Sequence, residues 1–266
     1  MVSLLLDHGA STNTSVDDLT PLAAGVQHKN REMISVLLER GANPNFSVRD
    51  VTPLGLAVGL DQHDTTRFLL EHGADSTVAH QGIPLVCWAI YACQHEGENG
   101  ICPNLTLLLQ RGADVTAVAR PPKRSLGSPS GWSAVHFAAY KLSTSALNVL
   151  LDHKAILSVR TDDGETALHI AVSIREDSDR VLPMLKELVR HGIDLDATDV
   201  LGETALHWAS KYHRDDTREY LLEAGCNSDL QNPSGRTAQD LYNLDQATLE
   251  REERARRRAL EQRRGT

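Results

Sequence analysis

Aromatic residues are scarce: Phe, Trp and Tyr make up 4% of the 266 residues. A conventional globular core of this size leans more on Phe and Tyr, so the apolar interior here has to be built from Leu, Val, Ile and Ala. Cysteine is equally sparse. Cys87, Cys93, Cys102 and Cys226 show no C-x-x-C spacing, which argues against a disulfide-stapled secreted domain and for a reducing compartment, cytosol or nucleus. No apolar run is long enough to span a bilayer, and the first residues carry no charged and apolar leader pattern. There is no G-x-S-x-G, P-loop, H-E-x-x-H or G-x-G-x-x-G. A basic surplus is missing too. The net charge is −9; residues 248–266 hold seven Arg and four Glu, +3, which leaves −12 on the residues before them. An acidic body does not suit general nucleic-acid binding, because phosphate contacts need a basic face.

What the chain has instead is repetition. Gly202 to Gly225 reads G-E-T-A-L-H-W-A-S-K, then Y-L-L-E-A-G. Gly164 to Gly192 gives G-E-T-A-L-H-I-A and L-V-R-H-G, and Gly131 onward gives G-W-S-A-V-H-F-A-A and L-L-D-H-K-A. Asp18 onward and Asp50 onward give T-P-L-A-A with L-L-E-R-G-A, and T-P-L-G-L-A with F-L-L-E-H-G-A. Helix-opening residues recur at Thr20, Thr52, Pro84, Ser133, Thr166, Thr204 and Thr237, where a hydroxyl caps an N-terminus and Pro is tolerated in a first turn. Helix-ending glycines recur at Gly9, Gly41, Gly73, Gly112, Gly192 and Gly225, as a left-handed residue past a helix C-terminus requires. Lys154 stands at this place in one repeat, which predicts local strain or a looser ending there. Leu206, Ala209, Leu221 and Leu222 are expected to be buried between layers.

This pattern resembles the ankyrin repeat, with its T-P-L-H-x-A signature at a period of about 33 residues. The resemblance runs from about Val2 to Leu241. It implies an all-α solenoid of stacked helix-turn-helix units with hairpin loops. The expected organisation is an incomplete N-terminal repeat (1–13), an array of about six repeats (14–231), a C-terminal capping unit (232–245) and a charged, basic helical tail (246–266). Inserts lie near 96–103, 119–130 and 175–180. The half repeat at the start means either that further repeats precede it or that this edge binds something.

The chemical alternatives are each weighed against a structural role. His136, His169 and His207 recur once per repeat, near 10 Å apart by the packing distance of neighbouring helices, too far to share one zinc. In the ankyrin family this His is structural, bonding the Thr of its unit and a neighbouring loop. Cys87, Cys93, His95 and Cys102 offer zinc-ligand chemistry, but at C-x5-C-x-H-x6-C spacing rather than C-x2–4-C. Asp162-Asp163 is expected at a hairpin tip and Asp215-Asp216 in the loop between two helices, both as solvated loop carboxylates. The tail cations Arg254, Arg256, Arg257, Arg258, Arg263 and Arg264 read either as a charged surface helix or as a nuclear address.

The resemblance implies a non-enzymatic scaffold that binds proteins through hairpin tips and inner helices. Mapped onto this chain, that selects Arg49, Val51, Tyr91, Trp132, Tyr140, Glu165, Val200, Leu201, Glu203, Lys211 and Tyr212. Trp132 and Tyr140 come first, since Trp, Tyr and Arg are enriched at hot spots. No catalytic residue, cofactor or metal is expected. The expected partners are proteins, without sequence-specific nucleic-acid binding, membrane insertion or a small-molecule substrate. A regulatory adaptor such as a transcription coregulator, in nucleus and/or cytoplasm, is the leading expectation; the uneven repeats are similar to those of stand-alone ankyrin chains of filamentous fungi. The alternatives are a cytosolic scaffold or inhibitor with no nuclear role, and a metal-dependent or hydrolytic enzyme hidden in the inserts.

Overall fold

The computed structural model describes residues 2–15, 18–94, 102–121 and 130–244, with Thr248, Arg254 and Arg258 as single helical positions. The chain forms two compact units, Met1–Ile156 and Leu157–Thr266. The first begins with α1 (Val2–Asp7) and continues as four helix pairs: α2 (Pro21–Gln27) with α3 (Arg31–Glu39), α4 (Pro53–Gly59) with α5 (His63–Glu71), α6 (Leu85–Ala92) with α7 (Pro103–Gln110), and α8 (Ala134–Tyr140) with α9 (Thr144–Asp152). A two-residue antiparallel pair, β1 (Ala79–His80) and β2 (Ile83–Pro84), precedes α6. The second unit holds α10 (Ala167–Ser173) with α11 (Ser178–Arg190), α12 (Ala205–Lys211) with α13 (Asp215–Glu223), and α14 (Ala238–Tyr242). Within each unit the first helices of the pairs make an inner row, α2–α4–α6–α8 and α10–α12–α14, and the second helices make an outer one.

Every inner helix but α6 starts where the sequence places a hydroxyl. Thr20 Oγ1 accepts from Ala23 N–H at 3.0 Å and Thr52 Oγ1 from Gly55 N–H at 3.0 Å, each followed by Pro at the first helical position. At Ser133, Thr166 and Thr204 the box is closed by histidine. Thr204 N–H donates to His207 Nδ1 at 3.2 Å, which leaves the proton on Nε2; that atom donates to the Arg236 carbonyl at 3.3 Å. His169 does the same with Thr166 and the Glu203 carbonyl, at 3.2 and 3.0 Å. The third repeat loses both ends of the box together, since Pro84 has no N–H to offer and Cys87 stands in the histidine register.

Left-handed turns then fold the pair, one after each outer helix and, after α2, α4, α8 and α12, one after the inner helix as well. The expected glycines Gly9, Gly41, Gly73, Gly112, Gly192 and Gly225 all have positive φ. Lys154 joins them at φ 66°, yet its ending is not looser: Lys154 N–H still reaches the Leu151 carbonyl and Ala155 N–H the Leu150 carbonyl, both at 2.9 Å. The strain is confined to φ. The inner helices end in the same motif without glycine, at Lys29, Asp61, Leu142 and His213, with φ from 51° to 55°. There the N–H of the next residue bonds a carbonyl five back, Asn30 to Gly25 at 2.8 Å and Arg214 to Ala209 at 2.9 Å. The accepting residue is small and buried each time, Gly25, Ala57, Ala138 and Ala209; Ala89 and Ala171 stand in the same register, but α6 and α10 end without this turn, at Cys93 with φ −58° and Ile174 with φ −70°. A methyl on Gly25 would already sit 3.0 Å from Ile34 Cγ1, so this position sets how closely the two helices approach.

The core is the predicted Leu/Ala interior. Leu22, Leu54, Leu85, Leu105, Leu108, Leu147, Leu150 and Leu168 are fully buried, each contributing about 1.5–3 kcal/mol. Leu206, Ala209 and Leu221 are buried as expected, but Leu222 is 36% exposed. It occupies the register of Leu70, which is buried on α5 with α7 packed alongside; among the described residues no further outer helix covers α13. Asp215 and Asp216 are not in a loop. They form the first turn of α13, where acidic groups complement the helix dipole. The insert near 175–180 is partly helical as well, because α11 begins at Ser178 and runs for 13 residues. Residues 95–101 and 122–129, and most of the tail, lie outside the described residues.

Consecutive hairpin tips are tied backbone to backbone. Gln81 N–H donates to the Asp50 carbonyl at 3.3 Å, Arg120 N–H to Gly82 at 2.6 Å, and Val200 N–H to Asp163 at 2.9 Å. Gly82 is required for this approach: a Cβ there would lie 2.2 Å from the Arg120 oxygen.

Candidate protein-interaction surface

Three of the residues selected from sequence meet in the first unit. Trp132 closes the hairpin before α8, Tyr140 ends α8 and Tyr91 lies in the last turn of α6. Trp132 and Tyr140 are 5.6 Å apart between ring centroids, and Trp132 is joined to the preceding inner helix by Phe137, which lies 5.4 Å from Trp132 and 6.3 Å from Tyr91. Trp88 extends the row, 5.6 Å from Tyr91, with its Nε1–H on the His80 carbonyl at 2.9 Å. All these contacts are edge-on, the favoured geometry for ring quadrupoles. Lys141 Nζ stands 5.9 Å over the Tyr91 ring. Phe137 is buried and Trp88 and Trp132 half-buried, while Tyr91 and Tyr140 are 47% and 43% exposed. The result is a rigid apolar strip whose outermost rings face solvent.

Trp88, Phe137 and Lys141 were not selected from sequence. Their signal was present in the register. Trp88, Phe137 and Trp208 each lie four residues past a helix-opening position, and Tyr91, Tyr140 and Lys211 seven past it. Arg49 and Val51 lie at the first hairpin tip, where Arg49 is exposed and paired with Asp18 at 2.7 Å.

The second unit places its selected residues differently. Val200 is 41% exposed and Leu201 half-buried at a hairpin tip. Glu165 is half-buried and accepts from Thr161 Oγ1 at 3.3 Å. Glu203 and Lys211 are not available at the surface. They form a buried ion pair at 3.1 Å, with Asn232 Nδ2 on the other carboxylate oxygen at 3.4 Å. Tyr212 is half-buried beside Trp208, 6.1 Å between centroids. The pair was unreadable from sequence because burial of a charge is decided by partners that arrive from elsewhere in the chain.

The electrostatics of this unit are those of a packed interior. Burial pushes His169 down to about 4. Burial likewise raises Asp199 to about 6, although its carboxylate accepts from Leu201 N–H, Glu203 N–H and Trp208 Nε1–H at 2.9, 2.8 and 3.2 Å. All four cysteines are buried thiols; burial raises Cys87 strongly and Cys226 to about 12, so neither is a ready nucleophile. The histidines suspected of metal chemistry are engaged in capping. No helix among the described residues is long and apolar enough to cross a membrane.

Comparison with known proteins supports the repeat reading. The family model for ankyrin repeats in three copies matches residues 89–182 and 177–232, and the single-repeat model matches 17–51. Neurogenic locus notch homolog protein 1 of Mus musculus is 33% identical over 103 residues, 38% of this chain and 4% of that protein. An intracellular phospholipase A2 of Caenorhabditis elegans is 33% identical over 141 residues, 50% of this chain and 13% of that protein. Ankyrin repeat domain-containing protein 53 of Mus musculus is 34% identical over 89 residues, 33% and 18% respectively. The chain thus spans a small part of the curated relatives it matches. Among solved structures, the ankyrin repeat domain of Bcl-3 superposes with a TM-score of 0.64 at 24% identity, covering 85% of this chain and 95% of that one. The human ASB11 ankyrin repeat domain gives 0.68 at 20%, covering 84% and 91%. Both likenesses concern the fold.

Proposed function

The chain belongs to the ankyrin repeat family, a family of protein-interaction modules, and from that premise we propose that it is a non-enzymatic adaptor whose main docking surface is the aromatic strip Tyr91–Trp132–Tyr140. The exposure of Tyr91 and Tyr140 on a rigid ring stack carries this reading. Aromatic anchors offer large contact area at little entropic cost, and a chain this poor in aromatics concentrates several of them here. The acidic body favours a partner segment with basic flanks. A regulatory role, including coregulation of transcription by contact with other proteins, fits such an adaptor, and the basic tail is the feature that would bring it to the nucleus. The match to a phospholipase covers 13% of that enzyme and gives no reason to assign its activity here.

The test compares wild type with Trp132→Ala/Tyr140→Ala. A protein retrieved from native extract by wild type is purified, and its Kd for both forms is measured, with thermal melts to verify folding. Loss of about 2 kcal/mol or more in affinity is expected. Equal Kd values for a folded double variant would remove this strip as the docking surface.

A further inference from the structure

The two helix pairs of the second unit are connected differently. α10 ends at Ile174 in extended backbone, and Arg175, Glu176 and Asp177 follow before α11 begins at Ser178. α12 passes to α13 through Tyr212, His213 and Arg214, with His213 left-handed. Residues of both connections line a pocket of about 550 Å³: Ser173, Arg175, Tyr212, His213 and Arg214. That volume is within the range of ligand sites. Among the described residues no acidic side chain lines it.

The cations of this pocket are not neutralised. Arg214 Nη1 donates to the Glu176 carbonyl at 3.1 Å and Nη2 to the Ile174 carbonyl at 2.5 Å. These bonds fix a half-buried guanidinium against the inserted segment, with its Nε–H and the second N–H of each Nη left to give. Arg175 and His213 are exposed. Among the described residues neither side chain has a hydrogen-bond or ion-pair partner; the His213 ring rests edge-on against Tyr242 at 5.1 Å. Ser173 gives its hydroxyl proton to the Ile170 carbonyl at 2.7 Å, so the donors come from the guanidiniums and the imidazole. The acids nearest in sequence are occupied elsewhere or turned to solvent. Glu176 pairs with Arg180 at 3.0 Å, Asp216 accepts from the Ser178 hydroxyl, and Asp215 faces the Tyr242 hydroxyl. Asp177 and Asp179 are exposed.

We propose that this pocket binds a phosphorylated serine or threonine of a partner protein. The proposal rests on the second unit alone and is independent of the aromatic strip. A guanidinium fork matches two phosphate oxygens, and a second guanidinium reaches the third. Two unneutralised arginines favour the phosphate dianion over a single carboxylate. The pocket is larger than one phosphate group fills, which leaves room beside the Tyr212 ring for the chain that carries it. In a body that is otherwise acidic, the segment that arrives here has basic flanks, and unphosphorylated acidic segments are repelled.

The experiment presents the full-length protein with a degenerate peptide library carrying a central phosphoserine or phosphothreonine, and with the same library unphosphorylated. The best peptide is then made with serine, phosphoserine and glutamate at the centre. Kd is measured for wild type, Arg175→Ala, Arg214→Lys and, as a control outside the pocket, Arg190→Ala, with thermal melts to verify folding. The phosphopeptide is expected to bind about tenfold tighter, or more, than its serine and glutamate forms. Arg175→Ala, whose exposed side chain has no partner to lose, should remove most of that preference, and Arg190→Ala should keep it. Arg214→Lys retains the charge without the fork and should also bind more weakly. Equal binding of the two libraries, or binding of neither, would overturn the proposal. So would a phosphate preference that survives in a folded Arg175→Ala, or one that falls equally in Arg190→Ala. Inorganic phosphate binding as tightly as the peptide, or vesicles carrying phosphoinositides binding more tightly, would replace the phosphopeptide with a different ligand and reject it.

Discussion

Lys154 and Gly82 separate two reasons for glycine. Lys154 adopts φ 66° with both turn hydrogen bonds made, so Lys154→Gly should gain about 1 kcal/mol in urea unfolding; no gain would mean that the left-handed conformation is free of strain. Gly41 has positive φ and open space around its missing Cβ, whereas Gly82 has a backbone oxygen in the way. Gly41→Ala should therefore cost about 1 kcal/mol and Gly82→Ala distinctly more. The second unit carries a paired pH response. His169 has a depressed folded value, so its contribution is complete above about 6.5 and lost as pH falls toward 4. Asp199 is raised, so its contribution is complete below 3.8 and lost as pH rises through about 6. The two slopes oppose each other across the same window. Asp199→Asn removes one of them, and the stability advantage of wild type over this variant should grow by on the order of 2–3 kcal/mol from pH 7 to pH 4. A difference that stays constant with pH would reject the raised Asp199. Thr, His and Gly positions were legible in the sequence because backbone geometry dictates those residue types. The Glu203–Lys211 pair was not, because nothing local distinguishes a buried charge from an exposed one.

At the level of helices, each pair is held by a narrow apolar seam rather than a broad core. Leu206 is 1% exposed on α12, which packs against α10, α13 and α14. Leu206→Ala should cost about 2–5 kcal/mol through the cavity it leaves, while Leu222→Ala, 36% exposed on a face of α13 that no described outer helix covers, should cost well under half as much. Equal losses in chemical denaturation would contradict the assigned faces. Adjacent leucines look alike in the sequence; what separates them is whether, among the described residues, an outer helix follows to cover the second. Asp215 and Asp216 were misassigned for a related reason. An acidic pair after a polar residue is as good a helix start as a loop. The aromatic strip was half legible: Trp132, Tyr91 and Tyr140 stood out by type, but Phe137, the ring that joins them, is visible only when successive repeats are laid in register.

Over the whole molecule the charge is divided, −12 before residue 248 and +3 after it. Arg254 and Arg258 are helical and exposed; Arg256, Arg257, Arg263 and Arg264 lie outside the described residues. Replacing Arg256, Arg257 and Arg258 with Ala should leave stability within about 0.5 kcal/mol, as surface changes do, and should lower the nuclear-to-cytosolic ratio of a fluorescent fusion. An unchanged ratio would favour the cytosolic scaffold reading. The ladder of bonds between hairpin tips has a consequence for engineering. Because Asp50 to Gln81, Gly82 to Arg120 and Asp163 to Val200 tie neighbouring tips, repeat register is set on that edge and is indifferent to chain length on the opposite one. The segment between Ile174 and Ser178 lies on that opposite edge, so a foreign peptide or reporter grafted there should leave the repeats on either side in phase.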